Sequence, residues 1–122
     1  MRRRIIEFDY MNRNTICSHV VADYETGEVR VQDFSNDTIN MFFGKREHSI
    51  EVMEALWEER CFPRTRYNAK ELLNSMDLQF YDAYQIIRRT HGVLPEDYYW
   101  IRFSDEKGLH WDDVKIKNWR LD

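Results

Sequence analysis

Glycine and proline are scarce in this chain of 122 residues, at four and two positions, and no stretch is low in complexity, so long disordered linkers are not expected. The two cysteines, Cys17 and Cys61, are far apart in sequence and no CxxC or Cys/His ligand spacing occurs. A disulfide framework is therefore not expected, and a reduced, cytoplasmic setting fits best. No segment approaches the roughly 18 consecutive apolar residues that a bilayer-spanning helix needs. The basic start Met1-Arg2-Arg3-Arg4 resembles the head of a signal peptide, yet Glu7 and Asp9 interrupt the apolar residues after it and no small-residue cleavage site appears. The expectation is a soluble, unprocessed protein with no membrane role.

Catalytic signatures are missing as well. The four glycines are isolated, so no loop is built to cradle a phosphate, and neither GxSxG nor HExxH occurs. His19, His48, His91 and His110 are scattered singly and read as ordinary surface or hydrogen-bonded residues rather than ligands or bases. The pairs Glu58-Glu59 and Asp112-Asp113 are adjacent, which on a helix does not bring the side chains face to face, so they read as solvated charge. Cys61 lies beside Arg60, but its place on an apolar helical face points to a packed thiol rather than a reactive one. No catalytic residue, metal site, cofactor or small-molecule substrate is predicted.

What the chain does hold is aromatic bulk, 15% of residues, enough for a single core in one domain over residues 1–122. Its net charge of −4 comes from 22 acidic and 18 basic side chains mixed along the sequence, which argues against coating nucleic acid by bulk charge.

The chain is organised around residues 56–73. Ile50, Met53, Leu56, Trp57 and Cys61 recur at helical spacing, with Glu51, Glu54 and Glu58 on the opposite side and Ser49 as the cap. Pro63 lacks an amide proton and disfavours helical geometry at Phe62, so this helix should stop by about Cys61. Asn68 followed by Glu71 reads as a capping box opening a second helix that buries Ala69, Leu72, Leu73 and Met76. A third helix should start near Asp82, bury Ala83, Tyr84, Ile86 and Ile87, carry Arg88 and Arg89 in its last turn, and close on a left-handed Gly92.

Strand signals lie on either side of these helices. Residues 4–10 are β-prone, residues 16–24 and 28–34 flank Glu25-Thr26-Gly27 as a hairpin, and residues 98–103 are apolar on both faces. In the second hairpin arm Val29 and Val31 share a face while Arg30 and Gln32 point away. The prediction is an α+β fold: a hairpin region over residues 1–44, helices over 45–92, and a strand with a terminal segment over 93–122. Residues 36–44 and 110–122 fit no single secondary structure, although Trp111, Val114, Ile116 and Trp119 should anchor the end of the chain.

Arg60, Arg64, Arg66 and Lys70 crowd the corner around Phe62, and arginine forks recognise carboxylates and phosphates in fixed geometry. These five residues, with the acidic stripe Glu51, Glu54 and Glu58, are the candidate partner-binding set. The competing reading pairs the cations internally with Glu58, Glu59, Glu71 or Asp82. Arg60 falls inside the apolar arc of its helix, so a buried Arg60 would need a carboxylate or carbonyl partner.

The string EERCFPRTRYNAKELLNSMDLQFYDAYQIIRRTHGVLPEDYYWIRF combines an ERCFPRTR corner, a YD pair, a THG and a YWIRF strand. It resembles small proteins of clostridial bacteria and their mobile elements, and more loosely the segment ahead of the kinase domain in HipA-like proteins, whose corner differs. The resemblance covers roughly residues 55–114 and implies an accessory or partner-binding role without an active site. A protein partner is therefore expected, either a HipA-like kinase or a host defence nuclease, the latter giving an anti-CRISPR-like inhibitor. The rival from another class is a nucleic-acid binder using Arg2, Arg3, Arg4, Arg60, Arg64, Arg66, Lys70, Arg88 and Arg89. An enzyme ranks last.

Overall fold

The computed structural model of the chain describes residues 5–115. Expectations that involve Arg2, Arg3, Arg4, Ile116 and Trp119 lie outside the described residues.

Four antiparallel strands form one sheet in the order β3-β2-β1-β4: β1 is Ile5–Asn12, β2 Thr15–Asp23, β3 Val29–Asp33 and β4 Tyr99–Phe103. Alternation decides the faces. Ile6 and Phe8 of β1, with Val20 and Ala22 of β2, turn into the core, while Glu7, Asp9 and His19 turn to the opposite side. The β2–β3 hairpin closes where Gly27 supplies a φ of 80°, as the glycine signal implied. A second hairpin joins β1 to β2 through Arg13-Asn14, with Arg13 held at a φ of 52°. It carries no glycine, which is why the sequence did not announce it.

Three helices follow: α1 Ile50–Glu59, α2 Ala69–Ser75 and α3 Ala83–Thr90. Met53, Leu56, Trp57, Leu72, Ile86 and Ile87 meet Phe8, Val20, Ile101 and Phe103 in the main core. The expected fold class is present: a small antiparallel sheet with helices packed on one face. Beneath the other face lies a smaller cluster of Met11, Val93, Trp100 and Val114, closed by Leu109, Trp111 and the short helix α4, Trp111–Val114. β4 is thus covered on both sides, as its apolar run required. Phe42 and Phe43 are buried behind a single tight turn at Thr38–Asn40.

Two local expectations are corrected. Ser49 caps α1 through its hydroxyl, which accepts from the Val52 amide, but Asn68 forms no side-chain cap on α2. Asn68 is buried, and among the described residues its Oδ1 has no hydrogen-bond partner. The residue that first turns left-handed after α3 is His91, at a φ of 59°, followed by Gly92 at 67°. His91 accepts that cost while its carbonyl receives the Ile101 amide at 2.8 Å, tying the helix end to β4. Among the described residues no helix is long and apolar enough to cross a membrane.

Candidate functional site

The corner after α1 is assembled around Arg60. Its side chain is only 11% exposed, and it forks onto Asp97 through two bonds of 2.9 Å. Its Nε donates to the Gly92 carbonyl at 2.9 Å and a terminal nitrogen to the Tyr99 carbonyl at 2.7 Å. Burial works to raise the Asp97 carboxyl, but the guanidinium beside it outweighs that and holds it below the usual carboxylate range. Arg60 therefore joins α1 to the loop after α3 and to β4. Phe62 is likewise buried, with its carbonyl accepting from the Tyr81 hydroxyl at 2.7 Å. These two members of the predicted partner-binding set belong to the interior, because each satisfies a long-range contact that no local spacing announces.

Arg64 is exposed and pairs with Glu58 at 3.0 Å while its guanidinium lies 4.3 Å from the centre of the Tyr81 ring. Glu54 accepts from the Tyr24 hydroxyl at 2.7 Å. Glu51 and Lys70 are exposed and Arg66 is half-buried; none of these three lines the cleft between α1 and α3, so the structure does not gather the predicted set at one place. Cys61 points inward and donates to the Trp57 carbonyl at 3.3 Å, and burial, helped by the Glu58 charge, pushes its thiol up to about 12. It is a packing residue at neutral pH, with no thiolate to offer.

That cleft is half-open and has a volume of about 950 Å³. Ile6, Trp57 and Tyr84 contribute apolar and aromatic lining. Glu54, Glu58 and Arg64 stand on the α1 side, and Asp82, Arg88 and Arg89 on the α3 side. The charged groups are held in place: Arg88 forks onto Asp105 at 2.9 and 3.0 Å, and Arg89 donates to the Met76 carbonyl at 2.8 Å. Phe80 also lines the cleft and is 76% exposed, an unusual state for a phenyl ring in a chain this rich in core aromatics. Sequence reasoning missed Phe80 and Tyr81, and took Asp82 only for a helix start or an internal ion-pair partner, because the connection between α2 and α3 has no period. The one available signal was an aromatic pair, Phe80-Tyr81, where a loop should be polar.

On the far side of the sheet, His19 is held between two carboxylates, Nδ1 to Asp9 at 2.7 Å and Nε2 to Glu7 at 2.7 Å, and Arg102 reaches the other Asp9 oxygen at 3.0 Å. Burial opposes charge on the ring, yet the two carboxylates overcome it and raise the His19 pKa. Both ring nitrogens are engaged by carboxylates, which leaves neither facing open space for a metal or a substrate. It is a cross-strand tie. Among the described residues no group of three or more His, Cys, Asp or Glu side chains is arranged to hold a metal ion.

No protein-family model, no curated protein and no solved structure matches this chain.

Proposed function

We propose that the chain is a non-enzymatic accessory module that docks on a partner protein through the cleft between α1 and α3. One observation carries this reading: an aromatic side chain, Phe80, stands in solvent at a mainly polar cleft framed by held charges of both signs. Protein interfaces concentrate affinity in such arrangements, with an aromatic anchor at the centre and a charged rim that sets orientation. Burying a phenyl ring contributes about 2 kcal/mol from area alone. Glu54, Glu58 and Arg64 keep the partner-binding role expected of them, and the held Arg88 and Asp82 join them. The resemblance to the HipA-associated segment makes a HipA-like kinase the first partner to try.

The test is capture from a native host extract by the full chain and by Phe80→Ala, followed by titration calorimetry with the purified partner. We expect one protein to be retained by the parent, and its affinity to fall at least about tenfold in Phe80→Ala and again in Arg64→Glu, with melting temperatures unchanged. A partner held equally by all three proteins would sink the cleft as the docking site. A nuclease in place of a kinase would make the chain an inhibitor of host defence, with the same docking chemistry.

A further inference from the structure

The two edges of the sheet are finished differently. On β4 most backbone groups that point away from β1 are taken up: the Tyr99 amide by Asp97 and its carbonyl by Arg60, the Ile101 amide by the His91 carbonyl, and the Phe103 amide by Glu106 Oε1. All three outward amides of that edge are met. On β3 the pairing parity follows from two bonds at its ends, the Phe34 amide to the Cys17 carbonyl at 2.9 Å and the Asp23 amide to the Glu28 carbonyl at 2.8 Å. Even-numbered residues of β3 therefore bond inward to β2, and Val29, Val31 and Asp33 point their amides and carbonyls outward. Among the described residues nothing pairs with those outward groups.

We propose that β3 is a docking edge, independent of the cleft, that takes an extended peptide segment of a partner protein as a fifth, antiparallel strand. Its side chains state what that segment must carry. Val29 and Val31 face the core side and are only half-buried, so the residues opposite them should be apolar. Asp33 and Glu28 stand exposed at the two ends, with Asp37 just beyond, against a single cation, Arg30, in the middle. A matching strand is therefore apolar at alternate positions and cationic at both ends. A second copy of this chain fits poorly: pairing β3 with itself about Val31 would set Asp33 opposite Val29 and Glu28 opposite Phe34, and would bring together two molecules of net charge −4. Strand addition draws affinity from main-chain hydrogen bonds and selectivity from such alternate side chains.

The probe is the capped peptide Lys-Thr-Val-Thr-Val-Lys, titrated into the labelled full chain with amide resonances and hydrogen exchange read at each residue. Its first, third and fifth residues would lie opposite Asp33, Val31 and Val29, and its last opposite Glu28. Without peptide, the Val29, Val31 and Asp33 amides should exchange freely while those of Arg30, Gln32 and Phe34 are protected. With peptide, the three outward amides should shift and lose exchange in proportion to occupancy. The analogue with glutamate in place of both lysines, and the analogue N-methylated at both valines, should have no such effect. Val31→Pro removes an outward amide to which no described residue bonds and should abolish the response, with any lost packing of the half-buried valine read as a lower melting temperature, whereas Phe80→Ala should preserve the response. The proposal is overturned by an absence of shifts at millimolar peptide, by shifts centred elsewhere, by equal binding of the N-methylated analogue, or by equal binding of the glutamate analogue. Protection of the outward amides by self-association alone, seen as a concentration-dependent sedimentation coefficient, overturns it too. Should Val31→Pro fail to fold, the N-methylated peptide still decides.

Discussion

At the scale of single residues, the energetics concentrate where charge is buried and fully met. Arg60 has the planar fork that matches a carboxylate and two carbonyls at once, a geometry that a lysine ammonium cannot reproduce. Truncating it leaves a partly buried Asp97 carboxylate and two carbonyls unmet, so Arg60→Ala should cost about 3 kcal/mol, and Arg60→Lys should recover little of it. Urea denaturation of the two variants checks this; a Lys variant as stable as the parent would mean the fork geometry is irrelevant. His19 makes a prediction of opposite electrostatic sense. Its folded pKa is raised above the ordinary 6.5, so its stabilising contribution is complete below that value and is lost as pH rises through the folded pKa. As pH rises above the ordinary histidine pKa and through the raised folded one, the parent should lose stability that His19→Gln does not lose. Parallel pH profiles for the two proteins would show that the Glu7 and Asp9 contacts do not hold the proton.

Elements follow rules of period and capping, and they show where a sequence can be read and where it cannot. The strands, the apolar arcs of α1, α2 and α3, the Pro63 break and the Ser49 cap are all local patterns, and each has its structural counterpart. Asn68 is instructive because the same local rule failed there: the pattern of a capping box was present, but Asn68 is buried and its side chain makes no cap bond. A comparison of caps tests this. Ser49→Ala should cost about 1 kcal/mol, while Asn68→Ala should cost much less, since no cap bond is lost and an unmet buried oxygen is removed. The core faces make a larger claim: Trp57→Ala and Leu72→Ala, both truncations of fully buried side chains, should each cost about 3 to 5 kcal/mol. Melting within a degree of the parent in either case would contradict the packing. The site was less legible than the fold. Glu54, Glu58 and Arg64 were picked from charge and spacing, but the cleft exists only because α1 and α3 lie side by side, and Asp97 meets Arg60 across 37 positions of sequence. No periodicity carries information of that range.

For the molecule as a whole, the distribution of charge decides between two classes of partner. A nucleic-acid reading needs several guanidinium and ammonium groups available to phosphates on one face. The corner that suggested it is largely occupied: Arg60 is enclosed by Asp97 and two carbonyls, Arg64 lies on Glu58, and Arg88 is forked onto Asp105. Among the described residues Arg66 and Lys70 make no ion pair, yet Glu58, Glu59 and Glu71 lie near them in the sequence of a chain of net charge −4. Releasing Arg64 or Arg88 to a phosphate would mean giving up an existing carboxylate, which cancels most of the gain. A gel-shift titration of the full chain against duplex and single-stranded DNA and RNA should therefore show no complex at micromolar protein near physiological salt. Charge reversal at Arg64 and Arg66 should leave that result unchanged while weakening the protein complex through Arg64. A micromolar complex that weakens steeply with salt, and disappears in the double reversal, would instead assign the corner to phosphates and displace the cleft as the principal site.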